Sequence, residues 1–148
     1  MLYFAQLALL FVATMLAFWK GGWPERSIAV IMVAWAAADF MLHNAFSHAE
    51  IYEVVDLWHF TFDVTGFALF FVVALKADRI WPIWMCSLQF YSVAGHFIRM
   101  AAPEMYELVY AVFQRFPYWL EILLIIWGSL HQAWRAKVDD GREQSARP

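Results

Sequence analysis

The sequence has a single cysteine and lacks the short motifs by which many soluble enzymes bind phosphate or activate a nucleophile. One cysteine cannot form a disulfide within the chain, and a lone cysteine in an apolar run, as Cys86 is, most often packs as a small hydrophobic residue. There is no glycine-rich phosphate loop, no HExxH pair and no nucleophile elbow. The absence of CxxCH excludes haem attachment of the c type.

Charged residues are also scarce. They make up 16% of the 148 residues, whereas apolar residues make up 64%, and the mean hydropathy is +0.55. Soluble domains are about 45–50% apolar, so this composition is typical of a protein in contact with the lipid bilayer. The net charge of −3 is too small to indicate a nucleic-acid partner. We therefore predict an all-α integral membrane protein that binds no nucleic acid.

The apolar residues fall into segments of the length that a membrane requires. About 20 apolar residues are needed to cross about 30 Å of hydrocarbon. Five segments fit: residues 2–19, 27–46, 55–75, 80–98 and 118–134. The amphipathic residues 104–116 precede Pro117, and we expect them to form either a short helix at the membrane surface or a kinked extension of the last span. The predicted fold is a bundle of about five transmembrane helices.

The basic residues predict how this bundle is oriented. With five spans, eight of the ten basic residues share one side of the membrane: Lys20, Arg26, Lys76, Arg79, Arg135, Lys137, Arg142 and Arg147. Basic residues accumulate on the cytoplasmic side. We predict an outer N-terminus and a cytoplasmic C-terminus, in the inner (plasma) membrane of a bacterium. Residues 1–135 then form one membrane domain, and residues 136–148 form a charged tail that we predict to be disordered.

Acidic residues and histidines concentrate in the outer half of this arrangement. Residues 39–63 contain three of the five histidines and five of the thirteen acidic residues, with no Lys or Arg. Some of these acids belong to the loop before the third span, where water solvates them. Asp39 and Asp63 instead fall within spans, where an ionised side chain costs about 2.5–3.5 kcal/mol at the membrane centre. Each must therefore be protonated, paired, hydrated or bound to a cation.

The spacing of these residues predicts a metal site. Asp39 and His43 are four residues apart in the second span, and His59 and Asp63 are four apart in the third, in reverse order. Residues four apart share a helix face, and adjacent spans are antiparallel. The two carboxylates should therefore match in depth, and so should the two imidazoles. A set of two Asp and two His ligands suits zinc, iron, manganese or copper.

Polar residues of the other spans are predicted at a similar depth. His96 is a candidate fifth ligand or a residue that orients the ligands. Arg99 and Glu121 are expected to pair with each other or to support the site. A haem b is the alternative cofactor, with His43 or His59 facing His96 as axial ligands. In a further alternative no cofactor binds, and the carboxylates either pair with the imidazoles alone or form a proton or ion relay.

In spacing, the set of Asp39, His43, His59 and Asp63 resembles two known metal sites. One is the Asp/His transport site of the cation-diffusion-facilitator exporters. The other is the Asp-x-x-x-His…His copper site in the membrane subunit of particulate monooxygenases. Either resemblance implies a bound transition metal. The first covers four residues and the second covers three. The rest of the chain matches neither family, so the sequence assigns it to none.

Three functions remain open at the level of sequence. The first is a small membrane protein that binds a transition metal or haem for redox chemistry or metal handling. The second is a non-catalytic accessory subunit of a larger membrane complex or a homo-oligomer, which packs through some of its 14 Phe and 9 Trp residues. The third is an ion-coupled carrier or pore, in which the acidic outer side concentrates cations. Whether the protein is an enzyme is left open.

Overall fold

The computed structural model describes residues 2–45, 57–102, 104 and 106–145, without the side chains of residues 2, 42–45, 107 and 143–145. All regular structure in this part of the chain is helical, which confirms the all-α class. The helices are α1 (Leu2–Lys20), α2 (Trp23–Ala45), α3 (Leu57–Lys76), α4 (Trp81–Ala101) and α5 (Glu107–Ser145).

Three of the helices are long and apolar enough to cross a membrane. The candidate spans are Tyr3–Lys20, Leu57–Lys76 and Leu108–Arg142, in α1, α3 and α5. The other two helices have 23 and 21 residues and so reach about 30 Å as well, at 1.5 Å per residue. They contain more polar residues than α1 and α3 and are therefore less apolar. By length and composition, the structure therefore supports membrane association, with three candidate spans.

The turn between α1 and α2 is short because of its glycines and the residues that follow. A Cβ atom on Gly21 would lie 2.5 Å from the carbonyl oxygen of Ala17, so no larger residue fits there. Glu25 accepts a hydrogen bond at 2.8 Å from the backbone N–H of Gly22, which is one half of a capping box. Pro24 lies in the first turn of α2, where its missing N–H is not needed. The chain therefore reverses direction within two residues.

Helix α5 is longer than the last predicted span. Of the two forms predicted for residues 104–116, the structure has the extension, because the helix begins at Glu107 and continues through Pro117 over 39 residues in all. Pro117 cannot donate the usual bond to the carbonyl of residue 113. The disorder predicted for residues 136–148 is corrected for most of the tail, since α5 continues to Ser145. Ala, Lys, Arg, Glu and Gln in this segment are all strong helix formers.

The five helices close into a bundle in which each packs against the next and α5 packs against α1. The middle of the bundle is apolar. Its fully or almost fully buried residues come from every helix: Ala13, Ala17, Ile28, Met32, Phe70, Met85, Ile122 and Ile125. The polar contacts described below lie on either side of this apolar layer, at opposite ends of the helices.

Candidate functional site

The carboxylate of Asp63, on α3, is held by two residues of α4. One of its oxygens, Oδ2, lies 2.9 Å from Nε2 of His96, and the other, Oδ1, accepts a hydrogen bond at 2.9 Å from Nε2 of Gln89. Gln89 and His96 are seven residues apart and therefore lie on one face of α4. A Cβ atom on Gly66, one turn below Asp63, would lie 3.2 Å from the amide of Gln89. The glycine leaves room for the two helices to approach closely here.

The second nitrogen of His96 is also engaged. Its Nδ1 lies 2.8 Å from the hydroxyl of Tyr110, on α5, and the His96 side chain is completely buried. Phe60 and Tyr110 both contact the imidazole ring edge to face. The result is a continuous hydrogen-bonded sequence of carboxylate, imidazole and phenol across α3, α4 and α5. We call it the Asp63–His96–Tyr110 chain.

A separate carboxylate–imidazole pair joins α2 to α3. Oδ1 of Asp39 lies 3.1 Å from Nε2 of His59. Unlike His96, both side chains are about one third exposed, at 32% and 34%. This pair lies at the same end of the bundle as the Asp63–His96–Tyr110 chain, and we refer to this end as the histidine end.

The structure brings the predicted ligands together in two pairs. Asp39 meets His59, as antiparallel packing of α2 and α3 requires, whereas Asp63 meets His96. Among the residues whose side chains are described, no group of three or more His, Cys, Asp and Glu residues is placed to hold a metal ion. The predicted metal site is therefore not supported by these side chains. His43 is on α2, but its side chain lies outside the described part, so its role as a ligand stays a prediction.

The hydrogen bonds of His96 and His59 bear on the haem b alternative. An axial ligand needs a ring nitrogen that can face the iron. Both nitrogens of His96 are hydrogen-bonded, and Nε2 of His59 is directed at Asp39. Binding of an iron by His96 would break its bond to Asp63 or to Tyr110.

Arg99 and Glu121, which were expected to pair with each other or to support the site, are in different surroundings. The guanidinium of Arg99 lies over the ring of Tyr110, 5.7 Å from its centre, where a cation–π contact holds the phenol in place. Glu121 is only 2% exposed, and its Oε1 has no hydrogen-bond partner within the described structure. Arg99 therefore contacts the Asp63–His96–Tyr110 chain, whereas Glu121 is buried apart from it.

Sequence reasoning missed two members of this site. Gln89 carries a recognisable signal, because it is a polar residue within a predicted span and seven residues before His96. Tyr110 carries almost none. It belongs to the amphipathic segment before Pro117, and only the continuity of α5 places it against His96.

A second polar cluster, also missed, lies at the other end of the bundle. Nη1 of Arg79, which follows α3, donates a hydrogen bond at 2.7 Å to Oε1 of Glu25. Nη2 of Arg79 donates to Oε1 of Gln132, on α5. Glu25 is completely buried. This Arg79 cluster ties the start of α2, the connection between α3 and α4, and the late part of α5 together.

Comparison of the chain with protein-family models, with curated proteins and with solved structures finds no match. The site must therefore be interpreted from its own chemistry.

Proposed function

We propose that this protein is a proton carrier of the membrane in which the Asp63–His96–Tyr110 chain transfers protons between the outer face and the interior of the bundle. The observation that carries the proposal is the completely buried imidazole of His96, with one nitrogen on a carboxylate and the other on a phenol. Chains of Asp, Glu and His inside membrane proteins are typical of proton relays.

The imidazole is suited to this role because it can accept a proton at one ring nitrogen and release a different proton from the other. In the neutral ring one nitrogen carries a proton and the other accepts one. When Asp63, itself protonated, gives its proton to Nε2, Asp63 becomes a carboxylate and the ring becomes a cation. Nδ1 can then pass a proton to the oxygen of Tyr110 as the Tyr110 hydroxyl releases its own proton to water. After one proton has entered and one has left, the ring is neutral again with its proton on the other nitrogen. Histidine does this near neutral pH because its unperturbed pKa is about 6.5.

The apolar layer supports a carrier in preference to an open pore. Met85, Ile122 and Ile125 are completely buried between the histidine end and the Arg79 cluster. A proton that reaches the interior therefore meets hydrocarbon side chains in place of a polar path. Passage to the other side requires the helices to rearrange, and we expect proton flux far slower than that of an open channel.

The proposal includes the orientation predicted from the basic residues. All five helices cross the membrane, the N-terminus is outside, and the Arg79 cluster faces the cytoplasm of a bacterial cell. The supporting feature is the antiparallel packing, which puts Lys20, Arg26, Lys76 and Arg79 near one end of the bundle. The histidine end then faces outward.

Purified protein in lipid vesicles tests the function. The vesicles contain a pH-sensitive dye, and a potassium gradient with valinomycin drives protons inward. We expect acidification faster than in protein-free vesicles. Rates equal to those of protein-free vesicles would contradict the proposal. Metal analysis and an absorption spectrum of the same sample test the alternatives, because a stoichiometric transition metal or a Soret band would favour a cofactor-binding protein.

A further inference from the structure

Gln89 contacts Asp63 at two atoms, and this double contact determines how the Gln89 amide is oriented. Its Nε2 lies 2.9 Å from Oδ1 of the Asp63 carboxylate and 3.2 Å from the backbone carbonyl oxygen of the same residue. A backbone carbonyl oxygen only accepts hydrogen bonds, whereas the amide nitrogen of glutamine carries two N–H donors. The nitrogen of Gln89, and not its amide oxygen, must therefore face Asp63.

The surroundings of Gln89 leave its amide little freedom to turn away. The residue is 8% exposed. A Cβ atom on Gly66, on α3, would lie 3.2 Å from both Cδ and Nε2 of Gln89, so the amide lies directly against the backbone of that helix. A buried amide without its hydrogen bonds is costly. The contact between Gln89 and Asp63 should therefore persist when Asp63 gains or loses a proton.

The two carboxyl oxygens of Asp63 are not equivalent as a result. Oδ1 accepts an N–H of Gln89, and a proton on Oδ1 would weaken that bond because a protonated oxygen is a poorer acceptor. Oδ2 lies 2.9 Å from Nε2 of His96. That nitrogen accepts a proton when the neutral ring carries its own proton on Nδ1. The bond from Gln89 thus favours a protonated Asp63 whose O–H is on the oxygen that faces the imidazole.

We propose that Gln89 is a positioning residue of the relay and that it keeps the transferable proton of Asp63 on Oδ2. This inference rests on the proposed function. In the transfer, the Oδ2–H bond of Asp63 breaks and an N–H bond forms at Nε2 of His96, so Asp63 becomes a carboxylate and the imidazole becomes a cation. Gln89 neither gains nor loses a proton in this step. Its amide holds Oδ2 against the ring, so the donor and acceptor atoms are already in contact when a proton arrives.

Proton flux in vesicles tests the role of Gln89. Gln89→Met removes the N–H donor but fills a similar volume, so Asp63 can carry its proton on either oxygen and can turn away from His96. We expect flux about tenfold lower than in the wild type, which is the factor that one hydrogen bond of ordinary strength corresponds to. The matched control is Gln114→Met. Nε2 of Gln114, on α5, donates at 3.2 Å to the backbone carbonyl of Ser92 in place of a carboxylate, so this variant should keep the wild-type flux.

Magic-angle-spinning NMR of the same vesicles separates positioning from simple packing. Protein with isotope-labelled aspartate carboxyls and histidine rings should show a carbon–nitrogen coupling for Asp63 with His96 and another for Asp39 with His59. The signal of the first pair is identified by its loss in His96→Gln. In Gln89→Met we expect the first coupling to be lost and the second to remain. If Gln89 only fills space, the methionine leaves both couplings in place.

The outcomes distinguish this inference from the proposed function. Wild-type flux in a folded Gln89→Met protein, or both couplings intact in that protein, would overturn the role of Gln89 and leave the relay standing. Absence of flux in the wild type would remove the relay itself and with it the role of Gln89. If both couplings disappear in Gln89→Met, that variant is misfolded. Gln89→Asn, whose amide is shorter by one CH₂ group, then takes its place with the same expected results.

Discussion

At the Arg79 cluster a buried carboxylate, that of Glu25, meets a guanidinium 2.7 Å away. At the histidine end the carboxylates of Asp39 and Asp63 meet imidazoles, at 3.1 and 2.9 Å. The geometry of the three contacts is similar, but the partners differ in chemistry. Arginine stays charged at every physiological pH, whereas histidine gains and loses its proton within that range.

This chemical difference separates a pair that fixes helices in place from pairs that can exchange protons. A Glu–Arg pair has one stable charge state, so its strength does not change with pH in the physiological range, and it is suited to fixing helices in place. An Asp–His pair has several charge states of similar energy, so it can pass a proton on. If this interpretation is right, the Arg79 cluster should matter most for stability, and the histidine end should matter most for flux.

The largest loss of stability should follow from breaking the Arg79 cluster. Arg79→Ala leaves the completely buried carboxylate of Glu25 without its cation. Removal of one partner of a buried ion pair costs about 3–5 kcal/mol. We expect a corresponding decrease in the free energy of unfolding, measured in detergent by chemical denaturation. The control is Arg26→Ala, at an exposed position in the first turn of α2, which should change stability little. Equal losses in the two variants would contradict the account.

A second variant shows whether the loss comes from the unpaired charge. Glu25→Gln combined with Arg79→Ala removes both charges, so no buried carboxylate remains without a partner. We expect the double variant to be more stable than Arg79→Ala alone. The same unfolding measurements provide the comparison, and a double variant less stable than either single variant would show that the cluster acts through something other than charge pairing.

A smaller loss of stability should follow from removal of the His96 imidazole. His96→Ala leaves the carboxylate of Asp63 and the hydroxyl of Tyr110 each without one partner. Asp63 keeps its bond to Gln89, so the cost should be about 1–3 kcal/mol, the range for a buried polar group that loses its partner. Unfolding of His96→Ala beside Arg79→Ala measures the difference. A His96 variant that is the less stable of the two would reverse the comparison.

The smallest effect on stability is expected at the second pair. Asp39→Asn disrupts an ion pair whose members are about one third exposed. Exposed pairs contribute about 0–1 kcal/mol because water and salt screen them. We expect a change in the free energy of unfolding within that range. A loss as large as that of His96→Ala would mean that Asp39 has a larger structural role than its exposed position suggests.

The helices could be predicted from sequence because each apolar segment has the length of a helix in a membrane. Their ends could be predicted only approximately. Two forms were left open for the residues before Pro117, a separate surface helix and a kinked extension of the last span, since proline usually ends or bends a helix. The charged residues after 135 were assigned to a disordered tail. The open choice and the wrong assignment have the same cause. Hydropathy describes what surrounds a helix and does not determine where its backbone hydrogen bonds stop.

The candidate site was predicted in part. The match of Asp39 with His59 follows from antiparallel packing of α2 and α3. Asp63 was assigned to the same partner helix because it lies four residues from His59. Four residues turn a helix by about 400°, so the two side chains diverge by about 40°. That angle is enough for His59 to reach α2 while Asp63 reaches α4, and spacing within one helix cannot reveal it.

Charge pairs between distant segments were the other feature that the sequence did not reveal. As a basic residue between two predicted spans, Arg79 was assigned to a membrane surface, and that assignment did not reveal its contact with Glu25, 54 positions earlier. Glu25 itself is recognisable as a helix-capping residue. Neither role requires the two to meet, so only the packing of α2 against its neighbours identifies the pair.

The most direct test of the account is proton flux through vesicles that contain His96→Gln. Glutamine is close to histidine in size and can hydrogen-bond to both Asp63 and Tyr110, but it cannot accept a proton at neutral pH. Unfolding measurements establish that the variant is folded. The account predicts flux in the wild type and in Arg26→Ala, and flux at the protein-free level in His96→Gln. Wild-type flux in a folded His96→Gln protein would show that the imidazole carries no protons and would contradict the central claim.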